Sequence, residues 1–256
     1  MFAKKSLSGL LFPALIFGIW WWGSSRGWWN AFILPSPSRV WAAAVDLLSR
    51  GILFSHIRTS LFRVLGGCSL AFAMAFPLGT LCGRSPLLRS LVLPSLEALR
   101  HIPPLAVLPL LILWFGIGET SKLMVIILAS FFPIFLNTLS GISQVSRQFL
   151  EVGTSLKLSS WETFRHILLP GSLPSVLVGL RLGLGYGWRS LIGAELIAAA
   201  SGMGYMIHHA EQLSRTDVVI VGVLLMGALG SLLDGLFFTL TRHLLPWKGA
   251  HHDPLA

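Results

Sequence analysis

Long apolar runs and short polar stretches alternate along this chain. A helix needs about 20 predominantly apolar residues to cross a membrane, and six stretches of apolar, helical character can be traced. An even number of spans puts both ends of the chain on one side of the membrane. We predict spans at 1–25, about 60–83, an irregular stretch whose clean apolar part is 102–115, about 122–139, about 175–199, and 217 to about 240.

The stretches before and between the spans carry weaker signals. Trp20–Trp22 suits a membrane interface, so we interpret 1–25 as an uncleaved span, with a cleaved signal peptide as the alternative. The turn at 33–38 predicts an interfacial helix from about Arg39 to Ser49. We expect a short basic loop at 84–89 and a polar connection at 200–216.

Prolines interrupt the third span at Pro94, Pro103, Pro104 and Pro109. A broken helix persists in a membrane only where protein or a water-filled cavity surrounds it, and such helices often line transport pathways. We therefore name Pro104 and Pro109 as candidate pathway residues. A kink that serves packing alone is the alternative.

Composition separates this chain from soluble proteins. Hydrophobic residues make up 54% of 256, charged residues make up 11%, and the mean hydropathy is +0.76, whereas soluble domains are about 25% charged. The net charge of +9 is scattered between apolar runs, which fits loops on anionic lipid better than nucleic acid. We predict a polytopic, all-α membrane protein.

No pattern in the sequence predicts a cofactor, a metal site or ATP hydrolysis on this chain. A P-loop and a zinc spacing are missing from the sequence. Cys68 and Cys82 lie inside apolar runs and are expected to be packing residues. His208 and His209 are adjacent in a polar connection, which favours a solvated role. We expect no catalytic residue, no metal and no cofactor.

A polar interruption at 147–170, here called the 147–170 segment, stands between the fourth and fifth spans. Apolar residues recur in it at helical spacing, and Ser159 with Glu162 forms the S-x-x-E pattern of a capping box. We predict two short amphipathic helices outside the bilayer, with a second helix from about Ser160 that Pro170 and Pro174 bring to an end. A plain connecting loop is the alternative.

Charged residues inside the last two predicted spans need partners. Each costs about 2.5–3.5 kcal/mol on insertion scales, so such groups face protein or water. Counted at 1.5 Å per residue from opposite faces, Arg181 and Asp234 reach similar depths. We predict a structural ion pair or short polar network between them.

Arg189 lies near the middle of the fifth span, beside Trp188. One hypothesis is that it faces the pathway and attracts an anion such as a sulfonate or carboxylate. The alternative is a pair with Glu195 or with a nearby carbonyl. Glu195 itself would either cap a cavity or satisfy backbone or Trp188 nearby. These three residues complete the candidate pathway set.

The 147–170 segment resembles the EAA loop of ABC-importer permeases, which docks in a groove of a cytoplasmic ATPase subunit. Glu151-Val152-Gly153 and Ile167-x-Leu169-Pro170 carry the resemblance. Lys157 stands where that loop has a glycine, so either the bend moves to Ser159–Ser160 or Lys157 is strained. The resemblance assigns coupling to the ATPase to these residues: Glu151, Gly153, Leu156, Lys157, Phe164, Ile167, Leu169 and Pro170.

The resemblance extends over roughly 30–247 and points to one branch, the permease subunits of nitrate, sulfonate and taurine importers. It is carried by ILPSP near 33, LRHIPPLAVLPLLILWFGIGETSK at 99–122, FFPIFLNTLSG at 131–141, and SGMGYMI with TDVV at 201–219. It implies the type 1 fold of ABC-importer transmembrane domains. Arg181, Asp234 and Glu195 match charged positions of that family, whereas the position of Arg189 is usually apolar in it.

The same resemblance implies the partners and the location. We expect a homodimer in the bacterial cytoplasmic membrane, two ATPase subunits below it, a periplasmic or lipid-anchored solute-binding protein, contact with membrane lipid, and no nucleic acid. Both termini are expected in the cytoplasm, which the distribution of Lys and Arg slightly favours. The expected divisions are 1–58 (first span and interfacial segment), 59–241 (transmembrane domain) and 242–256 (tail).

Three functional classes remain distinguishable. The first is a permease subunit that forms the path for a small anionic solute such as an aliphatic sulfonate, taurine or nitrate. An ion-coupled secondary transporter would show paired broken helices in two halves, and a membrane-embedded enzyme would need converging polar groups. Only one span is clearly broken, and no such polar cluster is evident from the sequence, which favours the permease.

Overall fold

The computed structural model describes residues 2–245, and the side chains of all of these except 2–10 and 244. In this part of the chain every regular element is helical, which confirms the all-α prediction. The helices are α1 (Phe2–Ser25), α2 (Pro37–Ser49), α3 (Ile52–Arg84), α4 (Pro86–Leu99), a 3₁₀ helix (Pro104–Val107), α5 (Leu108–Phe115), α6 (Glu119–Ser143), α7 (Arg147–Ser155), α8 (Ser160–Thr163), a π-helix (Phe164–Leu168), α9 (Leu169–Ala198), α10 (Met203–Gln212) and α11 (Thr216–Leu244).

Four helical stretches in the described residues are long and apolar enough to cross a membrane: α3, α6, the continuous stretch Ser160–Ala198, and α11. A fifth span is possible if α4 and Pro104–Phe115, which are bent by 81° at their junction, count as one broken span. α1 is a helix of 24 residues. The chain is therefore polytopic, and the count of six spans stays a prediction.

Two stretches expected to be loops are helical or nearly so. Between α3 and α4 only Ser85 is left, because its Oγ accepts a hydrogen bond from the Leu88 amide at 3.3 Å and Pro86 fits the first helical position. The predicted basic loop at 84–89 was wrong. The polar connection at 200–216 contains α10, so His208 and His209 lie on a helix and not in a loop.

Backbone geometry at Gly202 and at Ser214 sets where α10 begins and ends, and the composition of 200–216 does not reveal this geometry. Gly202 precedes it with a φ of +113°. At its end, the Arg215 amide donates to Ala210 and the Ser214 amide donates to Glu211, each at 2.8 Å, while Ser214 has a φ of +58°. These two bonds form a Schellman motif, which ends a helix at a left-handed residue.

The described chain divides into two compact units. The first comprises the chain up to Thr59 together with Ala200–Gly227. Within it, Trp20 Nε1 donates to the Pro35 carbonyl at 3.1 Å, and Thr216 Oγ1 donates to the Phe32 carbonyl at 2.7 Å. The Gly202 amide donates to His56 Nδ1 at 3.0 Å. These bonds hold the loop before α2 and the start of α10 in place.

The second unit comprises Ser60–Ala199 and the chain from Ala228 onward. Its core is α6, packed against α3 and α9. Cys68 and Cys82 are free, buried and part of this core with Ile134 and Phe135, which confirms that they are packing residues. Both cysteines lie on α3, and their small side chains allow a close approach to α6.

α9 meets α6 along glycines spaced four residues apart, at positions 179, 183 and 187. A Cβ added at Gly183 would lie 2.8 Å from Ile134 Cγ1 and 3.0 Å from the Ser130 carbonyl oxygen. Ser130 Oγ also donates to the Gly183 carbonyl at 2.9 Å. Small residues at such a crossing let two backbones approach closely, which is the main source of helix association in a membrane.

We expect Gly183→Ala to destabilise the protein by about 1–3 kcal/mol, because the added methyl must push α6 and α9 apart. Gly185→Ala is the matched control, since nothing lies within 4 Å of a Cβ at that position. The measurement is the midpoint temperature of aggregation of the purified protein. A midpoint for Gly183→Ala at or above that of Gly185→Ala would contradict this packing.

Candidate functional site

The 147–170 segment starts with α7, whose end has a defined geometry. The Leu158 amide donates to the Gly153 carbonyl at 3.0 Å, and the Lys157 amide donates to the Thr154 carbonyl at 2.9 Å. These bonds make a Schellman motif with Lys157 at its left-handed position, where φ is +53°. The bend therefore stays at residue 157, where the resembling family has glycine, and does not move to Ser159–Ser160.

The second helix of the segment begins at the predicted capping box. Ser159 Oγ accepts a hydrogen bond from the Glu162 amide at 3.3 Å, and Glu162 Oε2 accepts one from the Ser159 amide at 2.8 Å. Two amide groups that a helix start leaves without partners are thus satisfied. The helix starts at Ser160, as the sequence pattern indicates.

This helix does not end at the prolines, so that prediction was wrong. It continues through the π-helix at 164–168 into α9, and the stretch Ser160–Ala198 forms one helical span of 39 residues. The Leu169 amide donates to the Phe164 carbonyl, a five-residue step. A proline normally clashes with the carbonyl four residues before it, and the extra residue of a π-turn just before Pro170 changes that register.

α7 folds back onto the π-helix at a small residue. Gly153 is buried, and a Cβ added there would lie 2.7 Å from Ile167 Cδ1. Leu168 is also buried, and Leu169 is half-buried. Of the residues assigned to coupling, Gly153 and Ile167 are therefore in contact, and they fix the angle between the two helices of the segment.

The outer face of the segment is apolar and open. Phe149 and Val152 on α7, Leu156 directly after it and Trp161 on α8 are each more than half exposed. The rings of Trp161 and Phe164 lie 5.6 Å apart. We call the set of Phe149, Val152, Leu156, Trp161 and Phe164 the apolar face. Glu151 and Lys157 are also exposed, so the face carries charges at its edge.

At the far end of α9 lies an ionic cluster that joins three helices. Arg63 of α3 donates through Nη1 to Glu195 Oε1 of α9 at 2.7 Å. It also donates through Nε and Nη2 to the two carboxylate oxygens of Glu119 of α6, each at 2.6 Å. Lys122 Nζ donates to Glu119 Oε1 at 2.8 Å, and Ser60 Oγ donates to both oxygens of Glu195 at 2.9 Å.

The cluster balances two cations against two carboxylates, which is how buried charge is tolerated. The side chains of Arg63 and Lys122 are 5% and 4% exposed, and that of Glu195 is 0% exposed, whereas that of Glu119 is 59% exposed. The sequence interpretation missed this site apart from Glu195. Arg63 lies three residues inside the predicted second span, and a charge in an apolar helix signals a partner.

A second ion pair crosses between α9 and α11. Arg181 Nε and Nη2 donate to the two carboxylate oxygens of Asp234, each at 2.6 Å. The guanidinium also lies 5.5 Å from the ring centroid of Phe238. The two residues that were placed at similar depth are thus directly paired, in the fork geometry that Arg and a carboxylate favour.

Arg189 lies on α9 with an exposed side chain. Its guanidinium lies 5.8 Å from the ring centroid of Tyr186, and Glu195 instead receives hydrogen bonds from Arg63 and Ser60. The alternative in which Arg189 pairs with Glu195 therefore does not describe this structure. Trp188 differs from Arg189, because it is buried in a core cluster with Val64 and Leu191.

The broken third span approaches α9 close to Arg189. A Cβ added at Gly193 of α9 would lie 2.6 Å from Leu105 Cδ1 of the 3₁₀ helix. Pro104 is half-buried at the start of this 3₁₀ helix, and Pro109 is exposed in α5. The structure thus places the proline-broken element beside the stretch of α9 that holds Arg189 and Glu195.

Comparison with protein families identifies the class. Residues 75–246 match the family described as the binding-protein-dependent transport system inner membrane component. The chain belongs to this family. It is therefore a multi-pass inner-membrane permease subunit of an ABC importer, with the type 1 transmembrane fold, and it is a transport subunit rather than an enzyme. The family implies that an ATPase subunit and a solute-binding protein are partners of this permease.

Curated relatives resemble the permease over nearly its whole length. A Bacillus subtilis (strain 168) protein named for aliphatic sulfonates transport, SsuC, is 38% identical over 245 residues, which is 96% of this chain and 89% of the relative. The SsuC protein of Escherichia coli (strain K12) is 41% identical over 240 residues, which is 94% of this chain and 91% of the relative. The taurine transport permease TauC of the same strain is 36% identical over 241 residues, which is 92% of this chain and 88% of the relative.

Lys157→Gly tests the left-handed bend of the permease. We expect it to stabilise the 147–170 segment by about 1 kcal/mol, because glycine takes positive φ without the strain that a side chain carries there. Lys157→Ala keeps the strain and is the control. Amide hydrogen exchange of α7 measures the effect. Slower exchange in Lys157→Ala than in Lys157→Gly would contradict the assignment.

Proposed function

We propose that the permease acts as a homodimer that forms the path for a small anionic solute, such as an aliphatic sulfonate, taurine or nitrate. The 147–170 segment docks on the cytoplasmic ATPase subunit, and both termini lie in the cytoplasm. The observation that carries the proposal is the continuous helix Ser160–Ala198, which starts at the apolar face and ends at the ionic cluster.

The apolar face supports docking of the segment on a protein partner. Four of its five residues are more than half exposed, three are aromatic, and the rings of Trp161 and Phe164 are in contact. Aromatic residues on an open apolar patch are typical of the centre of a protein interface. A rigid helix that starts at such an interface moves when the partner moves, which is the coupling that an ATP-driven importer requires.

The helix that runs from the 147–170 segment to the ionic cluster is long enough to cross the hydrocarbon core of a membrane. Glu195 lies 26 residues beyond Leu169, which is about 39 Å at 1.5 Å per residue, and the hydrocarbon core is about 30 Å thick. If the 147–170 segment is cytoplasmic, the ionic cluster is therefore at the outer face. In this arrangement the expected divisions remain 1–58, 59–241 and a cytoplasmic tail at 242–256, of which 246–256 lies outside the described residues.

An anionic solute is supported by the names of the relatives and by the charge of this chain. SsuC and TauC are named for sulfonate and taurine transport, and this chain has a net charge of +9. Arg189 is exposed on α9 near the broken element that carries Pro104 and Pro109. We assign to Arg189 the role of attracting the anion in the pathway, with Glu195 and Trp188 supporting the helix around it.

The remaining coupling residues have distinct roles in this proposal. Gly153 and Ile167 hold the two helices together, Leu156 and Phe164 contact the ATPase, and Lys157 makes the bend. Glu151 lies at the edge of the apolar face, and Leu169 and Pro170 begin the rigid continuation into α9. The Arg181–Asp234 pair is structural, since it ties α9 to α11. Membrane lipid surrounds the homodimer, and the binding protein supplies most of the selectivity.

Leu156→Lys tests the docking. We expect ATP-driven uptake to fall at least tenfold while the ATPase activity becomes independent of solute, because a charge in an apolar interface is desolvated without a partner. Thr154→Lys is the control, since Thr154 is exposed and, at 3.6 residues per turn, a residue two positions from both Val152 and Leu156 lies on the opposite side of the helix. Uptake by the complete transporter in liposomes is measured. Normal uptake by Leu156→Lys would count against docking at this face.

Arg189→Leu tests the pathway. We expect sulfonate uptake to fall at least tenfold, because the positive charge that attracts the anion is removed. Arg189→Lys keeps the charge and should stay within about threefold of the parent. Initial uptake rates at several concentrations give the comparison. Unchanged transport by Arg189→Leu would remove Arg189 from the pathway.

A further inference from the structure

The ionic cluster contains two carboxylates in opposite situations. The Glu195 side chain is 0% exposed and is held by Arg63 and Ser60. The Glu119 side chain is 59% exposed, although it accepts hydrogen bonds from two buried cations. Glu119 already lies largely in water, so it can leave its partners without opening the packing around it, whereas Glu195 is enclosed by the protein and cannot leave without opening that packing. Glu119 is therefore the exchangeable member of the cluster.

The two cations that hold Glu119 cannot follow it into solvent. Arg63 and Lys122 are 5% and 4% exposed. A buried cation keeps a nearby anion because the loss of the counter-charge is strongly unfavourable. Any displacement of Glu119 therefore favours its replacement by another anion at the same positions.

The positions that Glu119 occupies fit an oxyanion. Arg63 offers Nε and Nη2 side by side to two oxygens at 2.6 Å, and Lys122 Nζ reaches one of these oxygens at 2.8 Å. This parallel fork suits carboxylate, phosphate and other oxyanions with two oxygens on one atom. A sulfonate group has three such oxygens, so two can meet Arg63 and one of them can also meet Lys122.

We propose that Arg63 and Lys122 form an oxyanion-binding site at the end of α9 away from the 147–170 segment, and that Glu119 closes it until the oxyanion group of a solute displaces the carboxylate. The assignment of this oxyanion to the transported solute rests on the proposed function. The site lies where the chain first meets solute if the 147–170 segment is cytoplasmic. A solute bound there also replaces a link between α3 and α6.

Glu119→Gln tests the site, because it removes the competing charge and keeps the size of the side chain. We expect the purified permease with its ATPase subunit to bind sodium ethanesulfonate at least tenfold more tightly than the parent, by calorimetric titration at constant ionic strength. Lys122→Met in the Glu119→Gln background should remove that gain. A cluster that serves stability alone would give no gain in ethanesulfonate binding.

Glu97→Gln is the matched control, since Glu97 is an exposed carboxylate on α4 that takes part in none of the cluster's hydrogen bonds described above. Binding by Glu119→Gln that is no tighter than that of the parent and of Glu97→Gln would overturn the proposal. If Glu119→Gln does not assemble with the ATPase, Glu119→Asp replaces it. Its shorter side chain should give about a threefold gain, and no gain would again overturn the site.

A measurement of ATP-driven uptake by the parent transporter distinguishes failure of this proposal from failure of the proposed function. If the parent takes up none of ethanesulfonate, taurine and nitrate, the proposed solute class is wrong, and the titration still decides whether the site binds an oxyanion. If uptake occurs and Glu119→Gln shows no gain in binding, the solute class stands and the site is wrong.

Discussion

The close contact between α6 and α9 is the interaction on which the rest of the second unit depends. Glycines at 179, 183 and 187 bring the two backbones together, and Ser130 Oγ donates to the Gly183 carbonyl at 2.9 Å within this contact. Without a hydrophobic driving force between helices in lipid, such packing and hydrogen bonding supply the association. The contact fixes where both ends of α9 lie, and hence the 147–170 segment at one end and the ionic cluster at the other.

Different interactions hold the two ends of the α6–α9 pair in place. Backbone geometry holds the 147–170 end, through the Schellman motif at Lys157 and the close contact of Gly153 with Ile167. Charge holds the other end, where Arg63 joins Glu119 of α6 to Glu195 of α9. The π-turn before Pro170 allows the helix that starts at Ser160 to continue into α9, which connects the two ends. A motion of the 147–170 segment would therefore be carried by one continuous element, which is the physical basis of the proposed coupling.

Local patterns predicted the features that depend on nearby residues. The capping box at Ser159 and Glu162 is a four-residue signal, and the helix start it indicates is present. One pairing between distant residues, Arg181 with Asp234, was also predicted, because both charges lie inside predicted spans and helical rise puts them at similar depth. The continuity of the helix through Pro170 and Pro174 was missed, because a π-turn is a matter of backbone register that side-chain patterns do not reveal. The partners of Arg63 were missed because they come from α6 and α9, and sequence order does not show which helices meet.

In the proposed function, the 147–170 segment is the contact with the ATPase subunit. Amide hydrogen exchange of the purified permease, with and without its ATPase subunit, tests this most directly, since an interface slows exchange where it excludes water and holds helices closed. Docking at this segment predicts slower exchange at 148–168 in the complex, together with unchanged exchange in α10. Exchange in 148–168 that stays the same in a complex shown to be assembled would contradict it.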